Sequence, residues 1–395
     1  MDKKKYSHFE TNAIRTQVER SGQKEHSVPI FATSSFVFNN SEEARAMFAQ
    51  ELEGNIYSRY SNPNNDEFIK KLCLLEETED GISTATGMAA IFHALIAFLR
   101  SGDHIISSRS LFGSTHQILT KILPRWGISH TYVDIDNNDA WQKAVMPQTK
   151  ILLAETPSNP GLDLCDLEFL GKLALKNNLL FIVDNCFATP YLQNPVKFGA
   201  QLICHSATKF IDGQGRTLGG AILGSKDIIT EVRSLTRQTG PSLSPFNSWI
   251  LSKSLETLPV RMDKHCENAM ILAEHLAKSE MVKTVKYPYL KSHPQYKLAK
   301  KQMSQGGGLV SFELDGGIKR CRKFIDSTKM LSITSNLGDT RTTITHPSTT
   351  THSKLTQEER EAVGITDGLI RISVGLEHID DIISDINQAI EKSAK

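Results

Sequence analysis

The sequence predicts an α/β protein, a mostly parallel central sheet with helices on both faces, followed by a smaller C-terminal α+β domain. Three observations predict it. Short apolar runs bounded by polar turns (HIISS, ILLAE, LLFIVD and QLICHS) recur between residues 104 and 206. Helical stretches separate them, as parallel strands with crossover helices require. A length of 395 residues is enough for two or three domains with a large core.

Taken in order, residues 1–55 read as an N-terminal arm, extended and with little periodicity before Ser41. Residues 56–250 carry the strand–helix alternation. GMAAIFHALIAFL is a helix opened by Thr86 and Gly87, and DLEFLGKLALKNN is a helix between two of the apolar runs. DGQGRTLGG lacks the lysine–serine or lysine–threonine end of a phosphate-binding P-loop and shapes a turn instead. The stretch from Pro245 to about Lys278 reads as one long helix leading into the C-terminal domain, residues 251–395. Gly306, Gly307 and Gly308 are too short a run for a linker and let a strand bend.

Lysine plus arginine number 45 against 44 acidic residues, so no field exists to grip nucleic acid or an acidic membrane. No run approaches the roughly 18 apolar residues that span a bilayer, and the basic start, MDKKKYSHFETNAIRTQ, has no apolar stretch behind it. Six scattered cysteines without a CxxC pair indicate reduced, packed thiols and a cytoplasmic enzyme. His346 and His352 lack metal-ligand spacing to any Cys or carboxylate cluster, so no metal site is expected.

The chemistry is concentrated at Lys209, in the string SATKFIDGQG, after one apolar run and framed by Ser206 and Thr208. A lysine amine attacks a carbonyl only when neutral, which burial or covalent capture provides. Asp184 ends a second apolar run 25 positions earlier. A Schiff-base lysine with an aspartate for a pyridine nitrogen is the protein's usual contribution to pyridoxal phosphate chemistry. The amides of Gly87 and Met88 open a helix and suit an anion such as a phosphate, with Ser206 and Thr208 as further donors. Read locally, T-G-M is also an ordinary helix start.

The segment QLICHSATKFIDGQG resembles the lysine signature of the Cys/Met-metabolism family of pyridoxal-phosphate enzymes. NIYSRYSNP, TATGMAAI, SLFGST, ETPSNP, VDNCFATP, SNLGDTRTTITHP and RISVGLE match the family in order, from about residue 26 to 377. The resemblance implies an aspartate-aminotransferase-like fold type I and pyridoxal 5′-phosphate held by Lys209 and Asp184. It implies Phe112 as the ring stacked on the cofactor, where many relatives carry tyrosine, so that stacking is kept without a phenol. Tyr57 and Arg59 would reach the phosphate from a neighbouring subunit, making a homodimer the catalytic unit within a homotetramer. Arg371 would clamp the substrate α-carboxylate, and Asn159 would lie near it, though in S-N-P it also suits a plain turn.

For the branch, the resemblance is to the O-succinylhomoserine sulfhydrylases. γ-Lyase relatives place a cysteine two positions after the stacking aromatic, where this chain has Ser114. Cystathionine-handling relatives carry S-L-G-G-V-E where this chain has N-L-G-D-T-R. Asn336 thus replaces a serine, and Arg341 stands where a glutamate would attract an ammonium. An arginine there favours an anionic ester, though it also reads as a solvated loop residue. The expected reaction is γ-replacement on an amino-acid ester by sulfide, giving homocysteine for methionine biosynthesis. Cystathionine γ-synthase, O-acetylhomoserine sulfhydrylase, a methionine or cystathionine γ-lyase and a non-catalytic cofactor-binding protein are the alternatives.

Overall fold

The computed structural model describes residues 6–394; residues 1–5, the start of the expected arm, and residue 395 lie outside the described residues. The first sheet has seven strands: β1 (Asp80–Thr84), β2 (His104–Ser108), β3 (Ser129–Val133), β4 (Thr149–Glu155), β5 (Leu180–Asp184), β6 (Leu202–Ser206) and β7 (Gly220–Gly224). Their order is β1-β7-β6-β5-β4-β2-β3, with β6, β5, β4, β2 and β3 parallel and β7 antiparallel to both neighbours. β2 and β7 are buried along their whole length, because helices cover both faces of the sheet. On one face the Pro63–Glu76 helix packs along the Pro245–Leu255 helix, and on the other the Gly87–Ile96 helix packs on β6 and β7.

Capping explains where these helices begin. Thr86 Oγ1 accepts the Ala89 N–H at 3.1 Å, and Asp166 Oδ1 accepts the Phe169 N–H at 3.0 Å. Asn62 caps the Pro63–Glu76 helix with proline in its first turn, where no N–H is needed.

The second sheet contains β8 (Thr284–Lys286), β9 (Leu309–Glu313), β10 (Ser332–Ile333), β11 (Thr343–Thr345) and β12 (Leu369–Ser373), ordered β10-β11-β12-β9-β8 and antiparallel except for β10 with β11. Leu272, Phe312, Phe324 and Ile386 belong to the apolar core between this sheet and the Leu258–Ala277, Gly317–Ser327 and Ile379–Ala394 helices. No described helix is long and apolar enough to cross a membrane. All six cysteines are unpaired and buried.

Three expectations change. The single long helix is two, Pro245–Leu255 and Leu258–Ala277. Pro259 has no N–H for the Leu255 carbonyl and its ring crowds that oxygen, so the chain turns and starts again. The arm is not extended throughout: Phe9–Arg15 is helical, with Ala13 in the core and Phe9 edge-on to Tyr191 at 5.3 Å. The glycine run lies before β9 rather than within a bent strand. A Cβ on Gly306 would stand 2.5 Å from the Tyr287 ring and one on Gly308 2.9 Å from Phe210, so close packing selects glycine there.

Candidate active site

Because β4, β5 and β6 are parallel, their carboxyl ends, Glu155, Asp184 and Ser206, share one edge of the first sheet. Ligands in such sheets bind beyond that edge. A cavity of about 580 Å³ opens there, roofed by Ser335, Leu337, Thr350, Thr351 and Arg371 from the C-terminal part. Gly87, Met88, Phe112, Asn159, Asp184, Ser206, Thr208 and Lys209 line it, so the structure gathers residues up to 284 positions apart that the sequence had singled out.

Lys209 leaves the turn after β6 with its amine donating to Asn336 Oδ1 at 2.7 Å. Burial holds this amine below the ordinary lysine range, and the Arg371 charge adds to the effect. Asp184 is pushed up to about 6 by burial, against the Cys186 N–H that its carboxylate accepts at 3.1 Å. A cation placed against Asp184 would offset that desolvation, and a protonated pyridine nitrogen is such a cation. Arg371 is 1 % exposed. It donates to Asn159 Oδ1 at 2.8 Å and to the Ser335 carbonyl at 3.1 Å. Its Nε has no protein partner among the described residues, and burial lowers the guanidinium to about 10. A buried cation with a donor to spare is suited to a carboxylate.

The phosphate end is built by crowding. A Cβ on Gly87 would lie 2.5 Å from Ser206 Cβ, so only glycine lets the helix start sit against the end of β6. The Gly87 and Met88 N–H groups, in the first turn, have no intrahelical acceptor and face the cavity with the Ser206 side chain. The Thr208 hydroxyl also lines the cavity and exchanges hydrogen bonds with Gly219 at 3.1 and 3.3 Å, which brace the turn. Phe112 presents an aromatic wall. These residues fit pyridoxal 5′-phosphate: donors for its phosphate, a carboxyl for its nitrogen, an amine for its aldehyde.

Four expected residues sit differently. Asn336 contacts Lys209 and leaves the cavity wall to its neighbours Ser335 and Leu337. Arg341 does not reach the cavity: its side chain is 66 % exposed and its guanidinium is paired with Asp339 through two contacts of 3.1 Å. An acidic residue two positions away captures the charge that was expected to face substrate. Tyr57 and Arg59 lie outside their own chain's cavity. Arg59 donates to the Arg237 carbonyl and stacks over the Tyr60 ring at 4.6 Å.

Sequence reasoning overlooked Glu155, which shares the cavity floor and accepts the Phe112 N–H at 2.8 Å. Its signal was present, since ILLAE ends in an acid as LLFIVD does. Thr350 and Thr351 had no comparable signal.

A family profile for the Cys/Met metabolism PLP-dependent enzyme matches residues 10–391. The chain is 45% identical to an O-succinylhomoserine sulfhydrylase from Pseudomonas aeruginosa, over 97% of this chain and 95% of the relative. It is 41% identical to an L-methionine gamma-lyase from Fusobacterium nucleatum subsp. polymorphum, over 99% of this chain and 100% of the relative. Among solved structures it superposes on a protein provisionally named O-acetylhomoserine (thiol)-lyase from Campylobacter jejuni, containing N′-pyridoxyl-lysine-5′-monophosphate. The TM-score is 0.95 and the identity 36%, covering 98% of this chain and 100% of that one. Fold, lysine site and relatives agree: the chain belongs to the Cys/Met metabolism family of pyridoxal-phosphate-dependent enzymes, with the type I fold.

Proposed function

We propose that this chain catalyses γ-replacement, converting O-succinylhomoserine and sulfide to homocysteine and succinate in methionine biosynthesis. The observation that carries the reaction class is one cavity holding a lysine amine and a buried arginine with an uncommitted Nε. Those are the two anchors that an α-amino acid needs on such a cofactor. The acyl group and the nucleophile rest on the sulfhydrylase relatives and on Ser114 in place of the cysteine of γ-lyases.

Bound pyridoxal phosphate supplies an electron sink for charge developing at the substrate Cα and Cβ. Gly87, Met88 and Ser206 would hold the phosphate, Asp184 would keep the ring nitrogen protonated, and Phe112 would cover the ring face. Arg371, braced by Asn159, would take the α-carboxylate and so orient the substrate's Cα–H bond for removal. Lys209 Nζ removes the Cα proton and handles the proton at Cβ. The Cγ–O bond breaks, succinate departs with the electron pair, and sulfide sulfur bonds to Cγ as its proton is released. Tyr57 and Arg59 complete a neighbour's phosphate site, so a homodimer is the working unit, in a homotetramer. The balanced charge and reduced thiols support a cytoplasmic setting.

A γ-lyase is the second reading, favoured by the methionine gamma-lyase relatives. A matrix of O-succinyl- and O-acetylhomoserine against sulfide and cysteine, with methionine alone as control, separates the two. Homocysteine from the succinyl ester and sulfide should dominate. Comparable turnover of methionine alone to a thiol and an oxo acid would instead establish the lyase.

A further inference from the structure

Glu155 has no role in the chemistry just described, yet it occupies the centre of the site. It ends β4, directly beside Asp184 in the parallel β4–β5 register. It is 5 % exposed and lines the same cavity. Its carboxyl accepts the backbone N–H of Phe112 at 2.8 Å, the residue whose ring forms the aromatic wall. Asn159, which lines the same cavity, holds Arg371 through its side chain at 2.8 Å. One side chain therefore anchors the aromatic wall beside the aspartate placed to face the ring nitrogen.

We propose that Glu155 is a positioning residue whose reach, rather than its charge, sets the width of the cofactor slot by fixing the Phe112 backbone relative to Asp184. Two full negative charges side by side in a buried floor repel, and only one cation, the ring nitrogen, is available to that end of the site. Burial first and the Asp184 charge second raise the Glu155 carboxyl well above the usual carboxylate range, which favours its neutral form. A neutral acceptor of the same length should replace it, and a shorter carboxyl should not. The Glu–Gln pair keeps the carbonyl oxygen in place, whereas Asp withdraws it by about one methylene, on the order of 1.5 Å.

The test uses the purified apoprotein, reloaded with pyridoxal 5′-phosphate, and reads cofactor dissociation constant together with visible circular dichroism per bound cofactor. Ellipticity per bound cofactor counts only folded sites, so a loss of folded material does not mimic the effect. Glu155→Gln is expected to bind within about threefold of wild type with the same ellipticity. Glu155→Asp is expected to bind at least tenfold more weakly with reduced ellipticity. Loss in Gln with retention in Asp would show that charge matters and overturn the proposal. So would wild-type behaviour in both variants, or equal loss in both. The inference depends on the cofactor alone, so it survives or fails independently of which ester the enzyme uses.

Discussion

Lys209 Nζ stands 2.7 Å from Asn336 Oδ1, and burial lowers its affinity for a proton, which favours the neutral, nucleophilic amine. Lys209→Ala should lose the yellow colour of the bound cofactor and on the order of a thousandfold or more in turnover, since attachment point and base vanish together. Normal activity in that variant would dismiss the proposed chemistry. Arg341 makes a contrasting case. Its guanidinium is exposed and spent on Asp339, so Arg341→Ala is expected to leave the preference between succinyl and acetyl esters within about twofold. A tenfold change, read as a ratio of kcat/KM values, would return Arg341 to the substrate. The difference between these two residues shows what local sequence carries. Lys209 and Asp184 follow apolar strands, and the end of a parallel strand is a place that topology reserves for ligands. Arg341 lies in a loop, where the direction of a long side chain depends on its neighbours, here Asp339 and the turn at Gly215.

Among the elements, the Leu258–Ala277 helix links the two sheets' cores, and His265 is one of its buried polar contacts. The His265 Nδ1–H donates to the Val374 carbonyl at 2.6 Å, and the ring meets Phe210 edge-on at 5.2 Å. Burial pushes this imidazole down to about 4, partly opposed by that hydrogen bond. In the unfolded chain it titrates near 6.5. The unfolded state therefore takes up the proton first, so the contribution is complete above about 6.5 and is lost as pH falls toward 4, by up to about 3 kcal/mol. His265→Asn keeps a donor to Val374 without a titration. Its melting midpoint should fall less than the wild type's between pH 7 and pH 4, even where it starts lower. Parallel curves would mean that His265 is not neutral in the fold. Helix periodicity in this stretch was readable from the sequence, whereas the break before Pro259 was missed, its signal being a single absent N–H. The Phe9–Arg15 helix offered only seven residues, too few for its period to stand out, and it is held by tertiary packing of Phe9 and Ala13.

For the whole molecule, the parallel sheet and the site edge were legible because they follow from alternation along the chain. The antiparallel insertion of β7 between β1 and β6 was not. The β1–β7 pairing joins segments more than a hundred residues apart and leaves no local pattern. Assembly is likewise invisible in one chain. If Tyr57 and Arg59 serve a neighbour, Arg59→Ala and Lys209→Ala subunits, each inactive alone, should complement. Random pairing makes about half of the dimers hybrid, each with one intact site, so activity should recover to about a quarter of wild type. No recovery after demonstrated subunit exchange would assign Arg59 to its own chain.

The six buried cysteines acquire a meaning in that setting. Sulfur chemistry between thiols runs through thiolates that a reagent can reach. Burial raises each of Cys73, Cys165, Cys186, Cys204, Cys266 and Cys321 above the ordinary thiol range. Five are enclosed in the cores, and Cys186 faces the cavity with its Sγ 3.5 Å from the Ser206 carbonyl. If the proposed reaction is the one this chain performs, protonated sulfurs, five of them enclosed, would leave the protein itself largely unreactive toward the sulfide and thiol passing through its site.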